Sequence, residues 1–417
     1  MKDIYGYHRS YKYSNNKSEG EQPLNKKICI FILILLTTTL LCASDIENQC
    51  WQVLKANIYK DDINKKLILM TVLGNLQDKS SIFLLQQALK DNDIRVKGEA
   101  LIALGKHKDN SIIPLLGKYL DDRNSSVRSA AIQAMAETDN PAVVPMIEQS
   151  LKDDDPEIRV TAARALLEFH LPSSIDALKN VSKDKDPLVK CFIDSALKEI
   201  MFTNNITLAK KSIKDKNPGV RSIAAIALGK TGDISALPLL EKSLADENTW
   251  VIYSAIESLG RIGSPSAVTS LEKMLKKEAF KIDTIKALGC IKDNSSLEIL
   301  KQYAGDKNPA VRVAVMEAIG RAGNNSVTGI LSVALKDDNT SVRAAALNAA
   351  GKLKLIKMQA LIIKSLEDKN YNVRTEAIRA LGELSNPKNI AILEKFLKDN
   401  KYDIWASAAI ISIISPD

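Results

Sequence analysis

Apolar and polar positions recur along this chain at a fixed interval, the step from Val127-Arg128 to Ile158-Arg159. Val189-Lys190, Val220-Arg221 and Val251-Ile252 follow at the same step, and Phe280-Lys281 arrives two residues early. Val311-Arg312, Val342-Arg343, Val373-Arg374 and Ile404-Trp405 resume the period, while Val96-Lys97 and a weaker Lys65-Lys66 extend it upstream. From these twelve points, apolar or small residues stand at spacings 0, 4, 7 and 8, as in Val220, Ala224, Ala227 and Leu228. That spacing describes one face of a helix with 3.6 residues per turn. A second amphipathic stretch follows in each copy, such as 236–244 or 389–397.

The punctuation repeats as well. Asn or Asp stands three residues before the anchor, at Asp155, Asp186, Asn217 and Asn308 among others, and Pro follows at Pro156, Pro187, Pro218 and Pro309. An Asn/Asp side chain satisfies an orphan backbone N–H at a helix start, and Pro loses no needed hydrogen bond there. Gly closes the same segment at Gly74, Gly105, Gly229, Gly260, Gly289, Gly320, Gly351 and Gly382. In that place Gly reads as a helix stop with left-handed φ. Each repeat is thus an outer helix, a tight turn and an inner helix that carries the anchor. One pair cannot bury its apolar faces alone, so neighbours must stack. The expectation is an all-α fold, an α-α superhelix (a HEAT-like solenoid) of about twelve helix pairs over residues 45–417. With helix axes about 8–10 Å apart, the arc runs on the order of 100 Å, and the sequence leaves its curvature open.

The strings DKNPGVRSIAAIALG (215–229) and DKNPAVRVAVMEAIG (306–320) resemble the HEAT-like repeats of the phycobilisome-lyase type. The resemblance covers nearly all of residues 51–417 and is specific for fold. It implies no single function, because scaffolds, chromophore lyases, a diiron hydroxylase and DNA glycosylases share it.

Composition narrows these classes. Apolar residues make up 45% of the chain and aromatics only 5%, which suits close helix packing. The formal charge is +8; residues 1–44 hold six Lys/Arg against three Asp/Glu, so the remainder carries +5, mild for its length. Residues 28–43, ICIFILILLTTTLLCA, follow Lys26 and Lys27. This run is shorter than the roughly 20 residues that span a bilayer and fits a secretory signal cleaved after Ala43 or Ser44. A start at Leu24 would make the leader compact, which the intact mass of unexported protein tests. Thr39-Leu40-Leu41-Cys42 loosely resembles a lipobox, with Leu41 where a small residue is expected. Lipidation of Cys42, cleavage and an uncleaved anchor all stay open. Residues 1–44 are therefore read as a signal or anchor segment, and the solenoid as exported, periplasmic or membrane-anchored.

Little in the chain suggests catalysis. His8, His107 and His170 are the only histidines, and the paired His-Glu dipeptides of the diiron hydroxylases are absent. No cofactor, metal or catalytic residue is assigned. Asp91, Asp122, Asp153, Asp184 and their equivalents precede the basic anchor by six residues and read as a structural Asp–Arg ladder. Lys106, Lys230, Arg261, Arg321 and Lys352 share a column with Glu137, Glu168, Glu199 and Glu383, which argues against a nucleic-acid groove. Cys191 and Cys290 are expected to be buried small residues. Between 185 and 290 the grammar breaks, and Phe192, Ile223, Trp250 and Tyr253 bring bulk to positions expected on the concave face. They are the candidate anchors for a protein or peptide partner. A phycobilin-lyase-like enzyme holding a tetrapyrrole and a DNA-binding protein are the alternatives. The apolar last helix, with Ile404, Trp405, Ile410, Ile411, Ile413 and Ile414, adds an expectation of self-association.

Overall fold

A computed structural model describes residues 44–169 and 172–415. The leader, Cys29, Cys42 and His170 lie outside the described residues. The chain divides into a unit of residues 1–46 and a unit of residues 47–417. No helix among the described residues is long and apolar enough to cross a membrane.

Every described element of the larger unit is helical, in twelve pairs. The first pair is a helix over residues 44–58 followed by Ile63–Asn75; the last is the short Ile390–Leu393, flanked by single 3-10 turns, followed by Asp403–Ile414. The anchor helices are long, as in Pro218–Thr231 and Pro309–Ala322, and their partners are mostly short. Successive long helices lie directly against each other, whereas successive short ones barely touch. In a curved stack the closer-spaced layer has the smaller radius, so the long helices form the inner layer.

The caps form as the sequence predicts. Asn124 Oδ1 accepts the Ser126 N–H at 2.9 Å, Asn308 Oδ1 that of Ala310 at 3.0 Å, and Asn370 Oδ1 that of Asn372 at 2.8 Å. Each contributes about 1 kcal/mol. The aspartates do form a ladder, and its rungs join adjacent repeats. Arg128 donates through Nε and a terminal nitrogen to both Asp153 oxygens at 2.8 Å, and through its other nitrogen to the Asp122 carbonyl at 2.9 Å. Asp153 Oδ1 also accepts the Asp155 N–H. One arginine thus ties its own turn to the next, setting register. Arg159–Asp184, Arg221–Asp246, Arg312–Asp337 and Arg343–Asp368 repeat the motif.

The closing glycines play a different part from the one expected. Gly74, Gly229, Gly260, Gly289 and Gly382 lie inside their helices. A Cβ on Gly260 would sit 2.7 Å from Ala287 Cα, one on Gly289 2.7 Å from Ala318 Cβ, and one on Gly382 2.8 Å from Ala409 Cα. These glycines let consecutive inner helices approach. The left-handed stop comes three residues later, at Gly232 and Gly263 with φ 68° and 70°, and at Lys108, Asp139, Lys292, Lys354 and Ser385.

The larger unit closes on itself. Helix Asp403–Ile414 packs against Ile63–Asn75 as well as against Tyr371–Glu383. Asn57 Nδ2 donates to buried Asp403 Oδ2 at 3.1 Å, and Lys65 Nζ lies 3.5 Å from Asp403 Oδ1 and 2.6 Å from Asn400 Oδ1. Cys50 and Leu54 of the first helix are fully buried. Burial pushes the Cys50 thiol up to about 12. Ile404, Ile410, Ile411 and Ile413 are buried in this junction. The apolar last helix is therefore covered in large part within its own chain, with Trp405 and Ile414 half-buried. Twelve axes about 8–10 Å apart make a ring roughly 30–40 Å across between opposite axes. Subtracting helices about 10 Å thick leaves an inner width of roughly 20–30 Å.

Candidate functional site

The long helices line the inner face of the ring. On a long helix the core holds spacings 0, 4, 7 and 8. At 100° per residue spacings 2 and 6 point most nearly the opposite way, spacings −1 and 10 flank them, and spacing 3 lies beside the core. Trp250 and Leu188 occupy spacing −1 two repeats apart and are 73% and 79% exposed. They are the most exposed large apolar residues of the inner helices described here.

The four residues singled out in the sequence do not form one cluster. Trp250 and Tyr253 share helix Thr249–Ile262, with ring centroids 6.2 Å apart. Tyr253 is half-buried, packs edge-on against Phe280 at 4.9 Å and donates its hydroxyl to the Ala279 carbonyl at 3.1 Å. Its physical role is clear from the next repeat. Helix Lys281–Ile291 lacks the Asn cap, and its N-cap makes no side-chain bond. The tyrosine hydroxyl supports that irregular turn instead. Phe192 is half-buried with the Arg164 guanidinium 5.5 Å from its ring centre, and Ile223 is half-buried on Pro218–Thr231. Sequence reasoning missed Leu188, although its place just after Pro187 could have marked it.

The ladder breaks at the same place, on both sides at once. Ile252 replaces the arginine and is buried, and Lys277 stands where other repeats carry the matching aspartate. Losing both partners leaves no buried charge unpaired, since Ile252 is apolar and Lys277 is exposed to solvent. Cys191 and Cys290 are exposed rather than buried. Cys191 lies at spacing 2 and Cys290 at spacing 10 of their helices, so their small side chains belong to the surface.

The electrostatics of the inner face are mixed. Lys230 pairs with Glu199 of the preceding repeat at 2.6 Å, joining the basic and acidic members of one column. Arg379 is held by Glu376 and by Glu383, the latter at 2.7 Å. Burial pushes the Glu383 carboxyl up, against the pull of Arg379. His107 is half-buried with Nε2 2.9 Å from the Leu73 carbonyl, and burial lowers its pKa. It joins two repeats. No group of three or more His, Cys, Asp and Glu among the described residues is placed to hold a metal.

Comparison with known proteins agrees with this architecture. The family described as HEAT repeats matches residues 52–136, 113–197, 206–284, 277–346 and 327–414. No curated protein matches the chain. Among solved structures, human deoxyhypusine hydroxylase in complex with glycerol is 19% identical, with 60% of this chain and 98% of that one covered at a TM-score of 0.34. YibA of Escherichia coli is 21% identical, covering 66% and 97% at 0.39. Kap95p, from its complex with RanGDP, is 12% identical, covering 94% and 65% at 0.39.

Proposed function

The chain belongs to the HEAT-repeat family, and from that premise we propose that it is a non-enzymatic scaffold that binds a protein or peptide on the inner face of its ring, in the bacterial cell envelope. The observation that carries the reading is Trp250, an aromatic left exposed in the first turn of an inner helix and backed by Tyr253 and Phe280. Rigid, exposed aromatics on a supported surface are efficient partner anchors. The phycobilisome-lyase type of repeat adds fold likeness to this reading without a catalytic residue set. Export rests on the apolar run 28–43 behind Lys26 and Lys27.

A DNA-binding role has less support. Acidic and basic residues at spacings −1, 2, 3, 6 and 10 of the inner helices balance to within one charge, counted from the first repeat to the one at Val373. A duplex binder would neutralise phosphates with an unbroken basic surface.

Crosslinking of the native protein in its own cells, followed by mass spectrometry, identifies the partner. Trp250→Ser should cut its recovery at least tenfold while the helical circular dichroism stays unchanged. Undiminished recovery refutes the assignment of the surface. Protease accessibility in cells with a permeabilised outer envelope tests the location, and full protection until the inner membrane is lysed refutes it.

A further inference from the structure

A cleft of about 450 Å³ lies where the ring closes, and neither the aromatic surface nor the ladder accounts for it. Four inner helices line it: Ile63–Asn75, Thr340–Lys352, Tyr371–Glu383 and Asp403–Ile414. Its volume falls in the range of small-ligand sites. Ala408, Ser412 and Trp405 line one side, and Gly351 and Gly382 border it where consecutive helices touch.

The charges of the cleft are unevenly matched. Arg379 is occupied by Glu376 and Glu383. Lys352 and Lys354 stand exposed at the rim and form no ion pair among the described residues. By contrast Lys230, which holds the position of Lys352 four repeats earlier, is paired with Glu199. One Glu383 carboxylate oxygen is buried without a hydrogen-bond partner, and the buried Trp405 indole N–H makes no hydrogen bond of ordinary length, with the Tyr371 side chain beside it. A buried donor or acceptor left unpaired costs about 1–3 kcal/mol, so a ligand that supplies both partners gains from meeting them.

We infer that this cleft holds the C-terminal residue of a peptide. The inference rests on the proposed protein- or peptide-binding role and specifies which part of the partner the ring holds. Lys352 and Lys354 take the terminal carboxylate, together with the Trp405 N–H once the indole turns toward the cleft. The last amide N–H of the peptide donates to Glu383, and the terminal side chain lies on Ala408 beside Trp405. Capture of a chain end by converging donors is a recurring mode of peptide recognition. Because the cleft is lined by both the first and the last inner helix, an occupied site also holds the ring closed.

The test uses the full chain and two N-acetylated tripeptide libraries, one with free C-terminal carboxylates and one with carboxamides. Bound peptides are recovered by affinity selection and read by mass spectrometry. At least tenfold preferential recovery from the free-acid library is expected. Lys352→Ala with Lys354→Ala should abolish it, and Trp405→Phe, which keeps an aromatic ring but removes the N–H, should weaken it about five- to tenfold. Trp250→Ser should leave it unchanged. Equal recovery from both libraries, or unaltered recovery with the lysine pair removed, overturns the inference. Retention of decanoate with no peptide selected overturns it too, since the site would then be one for small acids. Failure of peptide selection while the cellular partner is still captured through Trp250 removes this inference alone. Success of selection with capture indifferent to Trp250 removes the aromatic-surface reading alone.

Discussion

Adding one methyl group to a buried glycine should destabilise this protein, although the same change in an open helix position should stabilise it. Gly260 and Gly98 make the pair. Both lie within long helices, Thr249–Ile262 and Ile94–Lys106. Replacing Gly by Ala inside a helix gains about 0.5–1 kcal/mol through backbone entropy. At Gly98 the new Cβ would meet Ala130 Cβ at 3.7 Å, an ordinary contact, so the gain should be realised. At Gly260 it would lie 2.7 Å from Ala287 Cα and 2.8 Å from its Cβ. The obstacle is backbone and cannot swing aside. Overpacking of this kind costs about 1–3 kcal/mol, leaving Gly260→Ala roughly 1–2 kcal/mol less stable. For the larger unit, an unfolding entropy of about 2.1 cal/mol/K per residue gives roughly 0.8 kcal/mol/K. If the ring melts as one unit, Gly260→Ala lowers Tm by about 1–3 °C and Gly98→Ala raises it by about 1 °C. Differential scanning calorimetry resolves the opposite signs. A Tm increase for Gly260→Ala would refute the close-approach role and return this glycine to a simple helix stop.

Three further outcomes follow from the same geometry. Asp403→Ala removes the acceptor shared by Asn57, Lys60 and Lys65; it should cost about 1–3 kcal/mol and raise amide exchange in helices Ile63–Asn75 and Asp403–Ile414, and unchanged protection there would contradict the seam. Lys292 holds φ 54° at the end of helix Lys281–Ile291; Lys292→Gly should stabilise by about 1 kcal/mol, which a lowered Tm would disprove. Hydrogen bonds from Arg159, Arg221 and Arg312 hold Asp184, Asp246 and Asp337 below the ordinary aspartate value of 3.8. The folded state therefore binds fewer protons than the unfolded one, so the ladder's contribution is complete above about pH 4 and is lost as pH falls through the depressed values. Tm should drop between pH 4 and pH 2, more steeply than in a variant carrying Arg159→Met with Asp184→Leu, and parallel profiles would count against the ladder.

The repeat, its caps and its ladder could be read from the sequence because each is local chemistry copied once per repeat. An Asn three residues before Val meets its own helix start wherever the repeat sits, and Arg128 finds Asp153 because the next turn is always one step away. The glycines misled because a Gly near a helix end suits two jobs, and only the neighbouring helix decides between them. A signal was present. Ala103, Ala134, Ala318, Ala349 and Ala380 each stand two residues short of one full repeat after a glycine, so small residues face each other across repeats. Closure was harder to see. Asn57 and Asp403 are 346 residues apart and share no motif. The trace it leaves is at the ends, where Lys60 stands in the aspartate position of the ladder and Trp405 in the arginine position. The apolar last helix looked like a sticky cap because its cover comes from the other end of the chain. At the candidate surface, the irregularity around 250–280 was legible as a break in grammar. What it does was not: Tyr253 serves the uncapped turn, and Trp250 is left exposed in the first turn of its helix.

The first and last repeats meet, which closes the solenoid into a ring. Asn75 and Ser412 line the same cleft across that junction. Spin labels at Asn75→Cys and Ser412→Cys, with the native cysteines replaced, report their separation by pulsed electron resonance. The closed ring predicts a single narrow distribution centred within about 25 Å, the reach of two labels on side chains separated by roughly one interaxial spacing. A broad distribution centred tens of ångströms further out, as an open arc requires, would contradict it.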